Sequence, residues 1–301
     1  MREPPCAPST RGKGRSRRSG AGAYHDGPTM TDHARIVDTY TAAANHFDAL
    51  PFWHEFGRRT VARLQLPAGA RVLDLCCGTG ASALPAARAV GPTGSVLGVD
   101  LTPALVDQAR AQATAQRLTQ LRFEVADVEQ LAFSAATFDA VVSVFGLFFV
   151  EDMAGLLRKA WAWLVPGGRL AITVWGDVVL APGEALFWDA VRREDASLTH
   201  ISPADRLTTP AALAGVFAEA GLPAPAVSTE RWQMPLADAD AFWPVIMGTS
   251  NRGVYDALSA EAQDRVRRLV NGELERRRVR ALEMEALIAV AIKVAEPPPR
   301  R

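Results

Sequence analysis

The chain has 301 residues, in which 33 basic side chains balance 33 acidic ones and 49% of the residues are hydrophobic. This length suffices for one large domain, or for a core domain with a cap, and the neutral charge favours neither nucleic acid nor an anionic membrane as a partner. No apolar run approaches the roughly 20 residues of a membrane-spanning helix, and three cysteines provide neither a disulfide framework nor zinc-ligand spacing. We therefore expect a cytoplasmic protein without a resident metal.

The N-terminal segment differs in composition from the rest of the chain. Its first 18 residues contain six basic side chains and one acidic one among Pro, Gly and Ser, so we expect residues 1–29 to form a disordered basic tail. Residues 30–66 show helical spacing of apolar residues, and Pro51 divides them into two helices. These helices are interpreted as an N-terminal cap.

Residues 67–176 alternate between short apolar strands and helices. The predicted strands are 71–75, 95–99, 121–125, 140–144 and 170–175, and the predicted helices are 81–90, 103–117 and 153–164. Such alternation predicts a mostly parallel sheet with both faces covered by helices, and hence an α/β, Rossmann-like fold class.

Residues 177–301 break this rhythm. The pattern predicts an irregular segment over 176–208, a helix over 209–220 and two strands over 226–234 and 286–294. Two helical stretches, 238–250 and 259–282, lie between those strands. We therefore expect the sheet to end in an antiparallel pair that carries a helical lid over a substrate.

Acidic residues lie at the ends of the first two predicted strands, and a glycine-containing turn follows the first strand. Asp74 lies just before a turn that contains Gly78 and Gly80, and Asp100 ends the second strand. A carboxylate at that point can accept hydrogen bonds from both hydroxyls of a ribose. Asp127, after the third strand, could accept from an adenine amino group. An acid beside the glycine turn suits a cationic ligand end better than a pyrophosphate.

These residues fall in motifs that resemble those of the class I S-adenosylmethionine-dependent methyltransferases, especially the quinone-biosynthesis branch. The matching segments are VLDLCCGTG at 72–80, the strand ends at 99–100 and 126–127, FDAVVS at 138–143, and LVPGGRL at 164–170. The resemblance implies a seven-stranded sheet whose last strand is antiparallel, and S-adenosylmethionine as the cofactor. A small-molecule methyl acceptor is the implied partner, and a homodimer is one expectation for the assembly.

The resemblance also implies roles for individual residues. Those expected to bind the cofactor are Tyr40, Asp74, Cys76, Cys77, Gly78, Thr79, Gly80, Asp100, Leu101, Asp127, Val128, Ser143 and Val144. Aromatic residues expected to line the substrate pocket are Phe47, Trp53, Phe145, Phe148, Phe149, Trp175, Trp188 and Trp243. His46 and His54, on the N-terminal helices, are candidate catalytic bases. Ordinary core packing is the alternative for the aromatic residues, and a surface or hydrogen-bonded position is the alternative for the histidines.

The chain departs from the family pattern at two places. Cys76 replaces the usual first glycine of the loop, and the apolar residues 147–150 stand where many relatives carry a histidine. The adjacent Cys76 and Cys77 are interpreted as small packing residues, because neighbours in a tight turn cannot easily converge on one ion. The sequence as a whole predicts methyl transfer to carbon, oxygen or nitrogen of a small aromatic or lipophilic metabolite, achieved mainly by orientation. The alternatives are an NAD(P)-dependent oxidoreductase, which the loose G-x-G-x-x-A pattern at 78–83 permits, and a non-catalytic cofactor-binding partner protein.

Overall fold

A seven-stranded sheet organises the molecule. The computed structural model describes residues 33–199 and 202–294, so the predicted basic tail lies outside the described residues. The strands are β1 (Arg71–Leu75), β2 (Ser95–Asp100), β3 (Leu121–Val125), β4 (Phe138–Val144), β5 (Leu164–Trp175), β6 (Ala226–Pro235) and β7 (Ala281–Ile292).

The strand order is β3-β2-β1-β4-β5-β7-β6. Neighbours from β3 to β5 pair in parallel, whereas β7 runs antiparallel to both β5 and β6. This arrangement confirms the predicted fold class, including the antiparallel last strand. The order reverses between β1 and β4, and open α/β sheets bind ligands at the carboxyl ends of the strands beside such a reversal.

Helices cover the sheet and its carboxyl edge. They are α1 (His33–Phe47), α2 (Pro51–Leu64), α3 (Ala83–Val90), α4 (Pro103–Ala115), α5 (Met153–Trp163), α6 (Gly183–Glu194), α7 (Pro210–Glu219), α8 (Trp243–Met247), α9 (Asn251–Asp256) and α10 (Ala260–Arg276). Among the described residues, no helix is long and apolar enough to cross a membrane.

Two hydrophobic clusters lie on the two faces of the sheet. Along β1, Leu73 and Leu75 belong to one cluster and Val72 to the other, because successive strand residues point to opposite faces. All three side chains are at most 1% exposed. Asp74 is equally buried within this apolar strand, and burying a charge there is costly unless something compensates it. A buried acid at this position indicates a functional site at the carboxyl edge of the sheet.

The prediction of an irregular segment over 176–208 was wrong. Helix α6 occupies part of it and buries Leu186, Phe187, Trp188 and Val191. The sequence carried no start signal for this helix, since its N-cap is Pro182 and no side chain caps it.

The last strand begins at Ala281, earlier than expected. The acids Glu283 and Glu285 interrupt the apolar pattern there, but residues opposite them on β6 satisfy them. Gln233 donates to Glu283 at 3.3 Å and Arg231 to Glu285 at 2.9 Å, because cross-strand neighbours face each other on one side of a sheet. The predicted helical stretch 238–250 is divided into short helices, and the predicted 259–282 helix ends at Arg276.

Candidate active site

The glycine turn after β1 has three residues in left-handed conformations. Their φ values are 58° at Cys76, 53° at Gly78 and 91° at Gly80. Glycine adopts such values without cost, whereas a side chain there costs about 1–2 kcal/mol. Cys76 is accommodated because residue 146 is glycine: a Cβ added there would lie 2.3 Å from the Cβ of Cys76. Burial raises the pKa of both Cys76 and Cys77 well above its ordinary value, which favours the thiol form.

Asp100 holds this turn in place. Its Oδ2 accepts from the backbone N–H of Gly78 at 2.9 Å, and its Oδ1 accepts from that of Thr102 at 2.8 Å. Burial raises the pKa of Asp100, and these backbone bonds oppose the rise. Each carboxylate oxygen retains a further lone pair for a ligand.

Asp74 lies behind the turn. Ser82 Oγ donates to its Oδ2 at 2.7 Å, while its buried Oδ1 has no hydrogen-bond partner among the described residues. Burial raises the pKa of Asp74 to about 7. A nearby cation would favour its ionised form.

Helix α2 lies directly against the backbone at the start of α3. A Cβ added at Gly57 would lie 2.2 Å from the carbonyl oxygen of Ala81, so only glycine allows this approach. One turn further along the helix, Thr60 and Thr173 of β5 share a buried hydroxyl–hydroxyl hydrogen bond of 2.6 Å. The second cap helix is therefore fixed to both the turn and the sheet.

A cleft opens above the turn, and we call it the donor cavity. Asp100, Asp127 and Glu129 line it, and none of its described lining residues is lysine or arginine. Three acids without a lysine or arginine among the described lining residues favour a negative potential in the cavity. That charge suits a cationic ligand and opposes a pyrophosphate.

One end of the donor cavity is built from the segment after β3. Asp127 Oδ1 accepts from the backbone N–H of Glu129 at 2.8 Å, which shapes this turn. His33, at the start of α1, has one ring nitrogen 3.6 Å from Asp127 and the other 3.7 Å from Glu129. Val128 lines the same cavity. This end combines an apolar surface with hydrogen-bond acceptors, as an adenine ring requires.

A second, larger cleft adjoins the first, and we call it the acceptor cavity. The two cavities have four lining residues in common, which we call the shared wall: Tyr40, Trp53, Phe145 and Phe149. Because these side chains line both cavities, the two cavities meet at the shared wall.

Aromatic contacts hold the shared wall together. Trp53 stacks on Phe47 with ring centres 4.8 Å apart, and Phe145 stacks on Trp175 at 3.9 Å. Tyr40 meets Phe149 edge to face at 5.6 Å. Burial, and then the charge of Asp100, raise the pKa of Tyr40, so its hydroxyl stays protonated at neutral pH.

The structure brings most of the expected cofactor residues to the donor cavity. The lining residues are Tyr40, Cys76, Cys77, Gly78, Asp100, Leu101, Asp127, Val128 and Val144. Asp74, Thr79, Gly80 and Ser143 do not line it. Asp74 is connected to the cavity lining through Ser82, whose hydroxyl donates to it. Thr79 Oγ1 instead donates to Asp48 at 2.9 Å.

The expected substrate residues divide between the two cavities. Phe47 lines the donor cavity only, whereas Phe148, Trp175 and Trp188 line the acceptor cavity only. Trp243 lines neither cavity: its Nε1 donates to Asn271 at 2.8 Å and its ring packs beside Tyr255. For Trp243, core packing is the role that these contacts support.

Neither candidate histidine lines a cavity. His46 faces away because Ala43, Ala44 and Phe47 form the buried side of α1, and an adjacent helical residue points about 100° away. His54 Nε2 lies 3.0 Å from Asp48 Oδ1. That hydrogen bond raises the pKa of His54, and the same bond lowers the pKa of Asp48. The structure therefore gives His54 a tethering position between the two cap helices.

We expect His54→Gln to lower the free energy of unfolding more at about pH 6 than at about pH 8.5. A raised His54 pKa contributes stability that is complete below its unfolded value near 6.5 and is lost as pH rises through the folded value. The side chains of His54 and Asp48 are both more than a third exposed, so the loss of unfolding free energy should stay below about 1 kcal/mol. Urea unfolding at both pH values measures it. The pH dependence should vanish in an Asp48→Asn background, and an equal loss at both pH values would contradict the tether.

Several lining residues were not predicted from the sequence. In the donor cavity they include Ser82 and Glu129, both next to predicted motifs. In the acceptor cavity they include the residues that follow β5, helix α6 at Glu184, and the segment 249–251. The rule that ligands bind beyond the carboxyl ends of strands could have indicated the first of these groups.

Comparison with known proteins agrees with this geometry. A family model described as a methyltransferase domain matches residues 72–168. Trans-aconitate 2-methyltransferase of Variovorax paradoxus is 35% identical over 207 residues, which cover 67% of this chain and 76% of that protein. Aklanonic acid methyltransferase DauC of Streptomyces sp. strain C5 is 35% identical over 141 residues, or 46% of this chain and 64% of DauC. The chain thus spans less than two thirds of DauC.

Among solved structures, the YcgJ protein of Bacillus subtilis has the same fold, with a TM-score of 0.51 at 19% identity over 81% of this chain and 100% of that one. The chain belongs to the class I S-adenosylmethionine-dependent methyltransferases, which confirms the family that its motifs indicated. S-adenosylmethionine is the cofactor of this class.

Proposed function

We propose that this chain transfers a methyl group from S-adenosylmethionine to carbon, oxygen or nitrogen of a small, ring-bearing acceptor. The observation that carries the proposal is the pairing of an acidic donor cavity, lined by no lysine or arginine among its described residues, with an aromatic acceptor cavity across the shared wall. Both reported relatives are named for small organic acids, which supports a small-molecule acceptor.

The residues present fit the cofactor. Asp100 would accept from the ribose hydroxyls and Asp127 from the adenine amino group, since each carboxylate retains acceptor capacity. The buried, unpartnered Oδ1 of Asp74 would gain a compensating charge from a cationic amino-acid end nearby. When bound, S-adenosylmethionine supplies an electrophilic methyl carbon on a sulfonium.

The chain's own contribution is alignment. The shared wall presents four aromatic rings to both cavities, and the negative faces of such rings suit a sulfonium. Holding two reactants in line can lower a barrier by about 7–11 kcal/mol. Neither His46 nor His54 lines either cavity, so we infer that neither acts as a base on the acceptor.

Calorimetry separates this function from the oxidoreductase alternative. We expect S-adenosylmethionine and S-adenosylhomocysteine to bind, and NAD⁺ to give no measurable heat, because a pyrophosphate would meet Asp100, Asp127 and Glu129 with no lysine or arginine among the described lining residues. Transfer of a labelled methyl group to a panel of ring-bearing acceptors then distinguishes an enzyme from a non-catalytic binder. Tight binding of NAD⁺ with no response to either sulfur compound would overturn the proposal.

A further inference from the structure

One side chain connects the end of helix α1 to the glycine turn. Asp48 directly follows α1, and its Oδ1 accepts from Thr79 Oγ1 at 2.9 Å. The same oxygen lies 3.0 Å from Nε2 of His54 on α2. Thr79 is fully buried and lies in the turn between Gly78 and Gly80. A single carboxylate oxygen therefore joins the turn to both cap helices.

Helix α4 supports the same junction. Gln112 Nε2 donates to the backbone carbonyl of Thr79 at 3.3 Å, and Gln108 Nε2 donates to the backbone carbonyl of Ala44, on α1, at 3.0 Å. Because residues four apart lie on the same side of a helix, one side of α4 reaches both the turn and the cap. Thr79 thus contacts the cap through its side chain and α4 through its backbone.

The residue next to Asp48 lines the donor cavity. Phe47 ends α1 there, and a Cβ added at Gly78 would lie 3.4 Å from its ring. Phe47 also stacks on Trp53 of the shared wall. Asp48 and Thr79 themselves line neither cavity. Their hydrogen bond can therefore affect a bound cofactor only through the residues that it positions.

We propose that Asp48 is a positioning residue for S-adenosylmethionine, whose hydrogen bond with Thr79 holds the glycine turn and Phe47 in the cofactor-binding arrangement in the free protein. A site that is already ordered loses less conformational entropy on binding, so this bond tightens cofactor binding without touching the ligand. The proposal goes beyond the proposed function, because it applies whichever acceptor is methylated.

Two substitutions at Thr79 test the hydrogen bond. Thr79→Val removes the hydroxyl and keeps the branched shape, whereas Thr79→Ser keeps the hydroxyl. We expect Thr79→Val to raise the dissociation constant of S-adenosylhomocysteine about tenfold, and Thr79→Ser to change it less than about threefold. Calorimetry on the full chain measures both, at a temperature where thermal unfolding shows each variant to be folded. A purely structural role would lower the unfolding temperature and leave the affinity of the folded chain unchanged.

A double-mutant cycle tests the partner. Asp48→Ala should weaken binding at least as much as Thr79→Val, since it also removes the contact with His54. Adding Thr79→Val to Asp48→Ala should then have little further effect, because both substitutions remove the same bond. Thr114→Val is the control: it removes an exposed hydroxyl that donates to the backbone carbonyl of Arg110 on α4. Thr114 lines neither cavity, so the affinity should not change.

Three outcomes would overturn the proposal. They are a Thr79→Val variant that binds as tightly as the parent chain, equal losses in the valine and serine variants, and losses that simply multiply in the cycle. If Asp48→Ala does not fold, the comparison of the two Thr79 variants decides alone. Failure of the parent chain to bind S-adenosylhomocysteine would instead count against the proposed function, so the two failures remain distinguishable.

Discussion

Replacing Asp100 with alanine is expected to raise the dissociation constant for S-adenosylmethionine about a hundredfold. The variant removes the acceptor that would hold the ribose, and hydrogen bonds to a charged group contribute about 1.5–3 kcal/mol each. It also leaves the backbone N–H groups of Gly78 and Thr102 without their acceptor, so the glycine turn loses its support. Calorimetry measures the affinity, and thermal unfolding of the same variant measures the structural part of the loss.

Asp139→Ala is the matched control for this experiment. Asp139 lies near the start of β4, at the opposite edge of the sheet, where it accepts from the backbone N–H of Arg71 at 2.8 Å. Its loss should change cofactor affinity by less than about twofold, because it reaches neither cavity. Unchanged affinity in Asp100→Ala would refute the ribose role.

Gly57→Ala should destabilise the protein by about 3 kcal/mol or more, or displace the start of α3. Its Cβ would meet the carbonyl oxygen and carbon of Ala81 at 2.2 and 2.6 Å. Both are backbone atoms, so no flexible side chain can move aside, and overpacking of this kind costs about 1–3 kcal/mol even where side chains can adjust. Urea unfolding gives the stability, and cofactor affinity reports the displaced turn.

Gly272→Ala makes the same substitution at a position where we expect the change in stability to have the opposite sign. Gly272 lies within α10, and an added Cβ would meet no atom within 4 Å. Since alanine favours a helix interior over glycine by about 1 kcal/mol, this variant should be slightly more stable than the parent. A similar effect of the two alanines would contradict the proposed contact between α2 and the start of α3.

The donor side of the site was predictable because its signals are local. An acid at a strand end and glycines in the following turn lie within a few residues of each other, and parallel strands bring such ends to one edge of the sheet. Asp100 and Gly78, far apart in sequence, thus end in direct contact at 2.9 Å. The resemblance to a known family added roles that composition and spacing alone do not assign.

The acceptor side was predictable only in part, through aromatic residues such as Trp53, Phe148 and Trp175. The rest of its lining comes from the segment after β5, from α6, from 202–208 and from 249–251, which lie far apart in sequence and carry no motif that points to a ligand. The histidines show a second limit of sequence-based prediction: the spacing did not establish which way each side chain points from its helix. Phe47 and Trp53 line cavities while their neighbours His46 and His54 do not, because one step along a helix turns a side chain by about 100°.

Under the proposed function, the shared wall couples acceptor binding to cofactor binding. Any substitution at Trp53 or Phe145 that reshapes the acceptor cavity also reshapes the donor cavity, because each of these side chains lines both. Substitutions in 177–181 or 249–251, which line the acceptor cavity alone, should therefore change acceptor binding without changing cofactor binding. A change in acceptor specificity would therefore be expected to arise first in these peripheral residues, while the shared wall stays unchanged.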